Sequence, residues 1–571
     1  MIGTVLDGPW LPLLVPIWPL LLAVLVVLAP RLRRNALAVL PLAPLPGLLL
    51  ALTGSSDQPA TQVPSLLLGM TLALDASGLL LLALTALVWL AAGVHALAFM
   101  QPPRRPARFA VFWCVTLSGN LGVCLAADAV SFYVAFAMVS LTAYALIVHD
   151  GSDAARRAGR LYLGLAVAGE VMLLMGLLLA IAAADSLLLG DLQQALAAPT
   201  PTTTLSLLLL IGGCGLKAGL IPLHIWLPIA HPAAPVPASA VLSGAIVIAG
   251  IIGLIRCLPD SAAGSGQLLL VLGLLGTWAA ALVGLTQARA KTVLAYSTVS
   301  QIGLVIATLG AAISLADPEL RLAAALYATH HGLAKAALFL AVALFAIYRR
   351  GWQRTALLLL SALIAGSIAG LPGTGGALAK AAIKPGFDGW AYWLVSASAV
   401  TTTLLFVHWL SRCLQLPAAG TPSSPQRAAL ITVAVLLPAA VAVALPLWQW
   451  SGLTSAPWPT LEQTRLIDGV WPIALAGVIA VVGVVSGAYR RLPRIPEGDL
   501  AVLLERGAAR LVGALAQPRQ PAARAGRTPG RLRRIVQPAR RVERLLAPWR
   551  ARGLLMVVLV LLIALGVAAN L

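Results

Sequence analysis

The chain has 571 residues, of which 60% are apolar and 10% are charged, and its formal net charge is +20. A water-soluble domain carries about a quarter charged residues, so a soluble enzyme and a disordered regulator are both excluded. The composition specifies an all-α polytopic membrane protein.

Apolar runs of about 20 residues recur along the whole chain. An N-terminal region, 1–108, holds predicted spans at 11–29, 36–53 and 76–99. Residues 109–257 hold spans at 109–127, 129–148, 160–184, 203–229 and 236–257. Residues 266–415 hold a second set at 266–287, 292–314, 321–347, 355–384 and 391–415, with the fourth interrupted. Two more runs, 428–449 and 469–489, occupy 428–489. A basic segment, 490–552, then precedes an anchor helix at 553–570 within 553–571. The expected total is about 14–16 transmembrane helices. Cys114, Cys124, Cys214, Cys257 and Cys413 fall in or beside these runs. None has metal-ligand spacing, so they read as buried thiols, with no metal and no cofactor expected.

Loop charges alternate with this span order. Arg31, Arg33 and Arg34, then Arg104, Arg105 and Arg108, then Arg156 and Arg157 fall in odd loops. Asp57, Asp185, Asp191, Asp317 and Glu319 fall in even ones. The positive-inside rule then places odd loops in the cytoplasm and both termini outside, and the expected location is the cell's inner (plasma) membrane. The segment 490–552 carries sixteen Arg against four acids, net +12. It reads either as a solvated face beside anionic lipid or as a lateral segment docked on neighbouring subunits. Topology explains the basic charge, so nucleic acid is not an expected partner.

Only five of the 39 basic residues are Lys: Lys217, Lys291, Lys335, Lys380 and Lys384. Arg stays protonated inside a protein, whereas a buried Lys can release its proton. Charged groups inside spans are costly and mark functional sites. Lys217, Lys335 and Lys380 lie inside predicted spans, Lys384 sits beside Pro385 at a helix end, and Lys291 falls in a loop. The stretches GLKAGLIPLHIWLP (215–228) and GLPGTGGALAKAAIKP (370–385) each place a Lys in a Pro-broken helix. Freed backbone groups in a membrane are tolerated only against protein or a wet cavity. Two such segments, in corresponding places of two halves, are the pattern of an inverted repeat.

The runs GLKAGLIPLHIWLPIAHPAAPVPASAVLSG (215–244), LAYSTVSQIG (294–303) and HHGLAKAALFL (330–340) resemble the proton-translocating, antiporter-like membrane subunits. That family occurs in respiratory complex I, in multi-subunit sodium/proton antiporters and in energy-converting hydrogenases. The resemblance covers about residues 70–415, and the HPAAP and LSG elements look closer to the antiporter and hydrogenase branch. It implies two inverted five-helix repeats, 109–257 and 266–415, each a proton half-channel. It further implies that Lys217, Lys335 and Lys380 carry protons, with His331 one turn before Lys335, and that Asp75 matches an early-span Asp. His224 and His231, near the cytoplasmic end of the first broken helix, read equally well as structural or functional, and His330 reads as structural.

Departures from the family pattern bear on charge balance. The expected carboxylate partner of Lys217 is Ala137, the polar position of the eighth span is Ser243 or Ile248, and acids expected after Lys380 are Ala381 and Ala382. The Asp expected after the first break is Ile229. Glu170, midway along the sixth span, is the replacement partner expected for Lys217. The resemblance implies a subunit that moves protons, rather than Na⁺, among other membrane subunits of a larger complex, and that is not catalytic alone. The alternative is a partly degenerate scaffold or proton feed serving a partner such as an inorganic-carbon importer or a hydrogenase arm.

Overall fold

A computed structural model describes residues 10–100, 105–418, 424–444, 466–486, 495–498 and 502. Thirteen helices among them are long and apolar enough to cross a membrane. In chain order these and the shorter helices are α1 (Trp10–Leu28), α2 (Leu45–Thr53), α3 (Ala76–Phe99), α4 (Pro106–Leu125), α5 (Ala129–Ile147), α6 (Asp153–Ala184) and α7 (Leu189–Leu196). Next come α8 (Pro201–Ala218), α9 (Trp226–Ala233), α10 (Val236–Cys257), α11 (Ala263–Gly284), α12 (Ala290–Leu315) and α13 (Pro318–Ile347). The last are α14 (Trp352–Ala369), α15 (Gly375–Ile383), α16 (Gly389–Leu414), α17 (Pro425–Ala444) and α18 (Leu466–Val485). The anchor run 553–570 and most of 490–552 lie outside the described residues.

The span expected at 36–53 is not one helix. Ala36–Val39 is a 3₁₀ turn, residues 40–44 form turns, and α2 has nine residues. Pro41, Pro44 and Pro46 account for this, because each lacks a backbone N–H. Nine residues rise about 14 Å, less than the hydrocarbon core of about 30 Å. The segment still runs back beside α3. A Cβ at Gly93 would stand 2.9 Å from the Leu40 carbonyl, and one at Gly54 2.9 Å from Leu74.

Side-chain caps fix the helix starts on the even-loop side. Asp75 accepts from Gly78 N–H, Asp128 from Ser131 N–H and Thr200 from Thr203 N–H. Asp128 also accepts from Thr71 N–H at 2.8 Å. That bond holds down a small hairpin, β1 (Thr61–Val63) against β2 (Met70–Leu72).

Burial sorts the helices into centre and rim. The apolar window of α13 is 94% buried and that of α10 is 100% buried, against 39% for α6 and for α14. The first pair therefore forms the core, and the second pair turns one side outward. Without a hydrophobic force between helices in lipid, small residues let backbones approach. Gly273 meets Gly303 and Gly266 meets Gly310 between α11 and α12. Gly244 meets Gly332 where α10 crosses α13.

Candidate functional site

Both broken helices end their first half the same way. Gly219 and Gly370 take left-handed backbone (φ +88° and +98°), where only glycine avoids a Cβ clash. The next N–H turns back, from Leu220 to the Gly215 carbonyl and from Leu371 to the Gly366 carbonyl. Pro222 and Pro372 follow and prevent resumption. The lysines, however, fall on opposite sides of the break. Lys217 is in the last turn of α8, before it, whereas Lys380 is in α15, after it. The two breaks thus share a local geometry, while their lysines stand on opposite sides of it.

Lys217 is buried, and its Nζ donates to Tyr162 Oη at 3.3 Å, with the Tyr162 ring centroid 5.8 Å away. Tyr162 Oη in turn donates to the Ser140 carbonyl at 2.7 Å. Trp226 Nε1 donates at 2.8 Å to the Leu216 carbonyl freed at the break. Glu170 lies two turns beyond Tyr162 on α6 and is buried, and neither carboxylate oxygen has a hydrogen-bond partner among the described residues. Ser140 stands beside it outside bonding geometry. Glu170 and Lys217 thus interact through space without forming a contact pair. Gly169 against Gly213 brings their two helices together.

The second cluster centres on α13. His331 and Lys335, at i and i+4, share one face, and both are wholly buried. His231 of α9 stacks on Phe339, the next residue of that face, with ring centroids 4.7 Å apart. The first broken helix therefore reaches the central lysine. Neither ring nitrogen of His231 or His331 has a hydrogen-bond partner among the described residues. Lys335 Nζ lies 3.4 Å from the Leu294 carbonyl and 5.0 Å from the centroid of the Phe406 ring. The Leu294 carbonyl also accepts from Thr298 Oγ1 at 3.0 Å, and Ser243 Oγ is 2.7 Å from Thr298 Oγ1. Ser243, rather than Ile248, is thus the polar group of α10 here. It sits in a π-turn, Leu242–Ile246, a geometry frequent at functional sites. Asn120 Nδ2 donates to the Ala245 carbonyl within that turn at 3.3 Å.

The third cluster is at the second break. Lys380 Nζ donates to the Ala369 carbonyl at 2.9 Å and lines a cavity of about 440 Å³ with Lys384, Ala381, Tyr392, Ser396 and Gly469. Lys384 Nζ lies 5.6 Å from the Tyr392 ring centroid. His330 turns to this side and meets Ser367 Oγ at 2.9 Å.

Three further residues make none of these contacts. His224 is buried with its ring 6.3 Å from Tyr296. Asp75 caps α3 and pairs with Arg256 at 2.7 Å, away from the lysines. Lys291 is in the first turn of α12 rather than in a loop, and its Nζ donates to the Ala234 carbonyl at 2.6 Å. Tyr162, Thr298 and Ser367 escape sequence reading, because a lone hydroxyl in an apolar helix carries no periodic signal. Among the described residues no group of three His, Cys, Asp or Glu could hold a metal.

The family model described as NADH:quinone oxidoreductase/Mrp antiporter, transmembrane, matches residues 126–405, the stretch that contains all three clusters. Those residues belong to this family. Hydrogenase-4 component B of Escherichia coli is 30% identical over 286 residues, 48% of this chain and 42% of that protein. NADH-quinone oxidoreductase subunit N of Desulforudis audaxviator is 31% identical over 281 residues, 48% of this chain and 55% of that protein. The chain spans about half the length of the curated relatives it matches. An Mrp complex chain from Dietzia sp. shares the fold, with a TM-score of 0.65 at 22% identity over 92% of this chain and 65% of that one. So does a chain of an archaeal membrane-bound sulfane sulfur reductase, at 0.66 and 19% identity over 81% of this chain and 98% of that one. The match over residues 126–405 and the thirteen apolar helices together make the chain a multi-pass membrane protein that is similar, over that stretch, to membrane subunits of this family.

Proposed function

We propose that the chain is a proton-translocating subunit of a multi-subunit membrane complex, working along Lys217, His331, Lys335 and Lys380 with water between them. The observation that carries this is Lys335: wholly buried at the centre of α13, hydrogen-bonded among the described residues only to a backbone carbonyl, with His331 one turn away. Protons hop as each amine changes charge in response to its neighbour, and a partner subunit supplies the driving reaction. Residues 109–257 and 266–415 act as the two half-channels. Glu170 balances Lys217 through space, Lys384 tunes the mouth beside Lys380, and His231 hands protons to the Lys335 cluster. His224 lines the first break, and Asp75 serves as a structural cap. Protons suit this amine-rich set better than Na⁺, which wants carboxylates and carbonyl oxygens. The charge pattern of the loops supports a plasma-membrane setting with odd loops cytoplasmic and both termini outside, and the segment 490–552 suits anionic lipid.

The test is Lys335→Ala in the complex with its native partners, reconstituted in vesicles. The expected result is intact assembly with proton flux at background. Unchanged flux in an intact complex favours the second reading in its scaffold form. That reading draws on Ala137, Ala381 and Ala382, which stand where the family resemblance leads one to expect acids.

A further inference from the structure

His330 is 1% exposed in the middle of α13, and successive helix residues point about 100° apart. His331 stays on the Lys335 face while His330 looks toward the second broken helix. Its Nε2 lies 2.9 Å from Ser367 Oγ, near the end of α14. The same hydroxyl oxygen accepts from Gly376 N–H at 3.3 Å, and Gly376 is the second residue of α15. One imidazole and one hydroxyl therefore tie the central helix to both sides of the break. A Cβ at residue 376 would stand 1.6 Å from the Ser367 carbonyl oxygen and 2.9 Å from the His330 ring, so only glycine permits the contact. Two residues past Ser367, the Ala369 carbonyl accepts from Lys380 Nζ at 2.9 Å. The Lys380 charge reaches His330 electrostatically. Beside Lys380, the cavity of about 440 Å³ has ample room for water.

A purely structural tie is the plainer alternative, since buried histidines usually satisfy a neighbour. Three features go beyond it. A serine hydroxyl both donates and accepts, so it can pass a proton, and Gly376 N–H takes up only one of its lone pairs. The tie ends two residues from the carbonyl that holds Lys380. The path also leaves α13 in the direction that His331 does not face.

We propose that His330 and Ser367 relay protons between the central helix and Lys380. In the step, protonated His330 gives its Nε2 proton to Ser367 Oγ. The hydroxyl releases its own proton through intervening water to the amine of Lys380, which lines the cavity. One proton moves, the hydroxyl is restored, and no other bond changes. The inference rests on the translocation reading above.

The test uses the assembled complex in vesicles. His330→Gln keeps a hydrogen-bonding side chain without a titratable proton, and Ser367→Ala removes only the hydroxyl. Both are expected to cut proton flux about a hundredfold, in the range for a lost proton-transfer group, with assembly unchanged. Ser367→Thr, which restores the hydroxyl, is expected to recover most of it, with a solvent deuterium isotope effect on the recovered flux. Full flux in His330→Gln or in Ser367→Ala overturns the relay. Should His330→Gln fail to assemble, the Ser367 pair decides alone, because a packing role would not distinguish Ala from Thr by flux at equal assembly. Lys335→Ala in the same vesicles separates the two failures. If it abolishes flux while His330→Gln does not, only the relay falls; if it leaves flux intact, the translocation reading itself falls.

Discussion

Replacing Lys335 with methionine is expected to stabilise the protein while abolishing proton movement. Methionine has a similar stem, fills irregular space and carries no charge. The lysine amine is wholly buried and has one hydrogen bond, at 3.4 Å, to a carbonyl already used by Thr298. A neutral amine left short of partners costs about 1–3 kcal/mol. An ammonium costs several kcal/mol, offset by the Phe406 ring at 5.0 Å, a contact worth about 2 kcal/mol when desolvated. The weak hydrogen bond lost with the substitution is worth about 1 kcal/mol. In either charge state the balance favours methionine, by about 0–2 kcal/mol. Unfolding free energy in mixed micelles by linear extrapolation, paired with vesicle flux, measures both effects. A Lys335→Met protein that is less stable by about 1 kcal/mol or more would refute the reasoning, because it would mean that the amine is held in a net-favourable ion pair.

The remaining expectations concern helix contacts and charge. Gly332→Ala places a Cβ 2.4 Å from the Gly244 carbonyl and 2.8 Å from Leu84. It should destabilise by about 1–3 kcal/mol, whereas Gly264→Ala, whose Cβ would meet nothing within 4 Å, should be near neutral in the same micelle assay. Glu170→Gln should fold normally, since neither carboxylate oxygen is hydrogen-bonded, yet slow proton flux about tenfold; full flux would remove Glu170 from the pathway. Lys217→Arg should preserve assembly and block flux in vesicles, because a guanidinium does not release its proton; retained flux would mean that residue 217 acts only as a fixed charge.

The membrane class, most spans and the two broken helices were legible in sequence, because hydropathy and Gly-Leu-Pro punctuation are local signals. The segment 36–53 misled because its mean apolarity is that of a span, while Pro41, Pro44 and Pro46 decide its backbone. Side-chain direction was less legible. His330 and His331 are adjacent in sequence, and only packing determines that one meets Ser367 and the other stays beside Lys335. His231 approaches Lys335 through Phe339, a contact between α9 and α13 that no spacing rule encodes. Lys291 looked like a loop residue because its helix begins one residue earlier, at Ala290.

The scarcity of lysine acquires a physical meaning in the contacts. The ion pairs described for this chain are all made by arginine: Arg156 with Asp153, Arg256 with Asp75, Arg289 with Glu497 and Arg321 with Asp260. Lys217, Lys291, Lys335 and Lys380 instead donate to neutral acceptors, namely the Tyr162 hydroxyl and the Ala234, Leu294 and Ala369 carbonyls. A carboxylate in contact with a buried ammonium would hold the proton by several kcal/mol, since attraction is strong at low dielectric. A hydroxyl or carbonyl discriminates far less between the charged and neutral amine. If Lys217 and Lys380 carry protons as proposed, alanine at 137, 381 and 382, where the family resemblance leads one to expect acids, would weaken the grip on those protons without removing the carrier. Glu170, near Lys217 but out of contact, supplies attraction without capture. On the proposed reading, this arrangement would shift the balance toward faster release at Lys217 and Lys380.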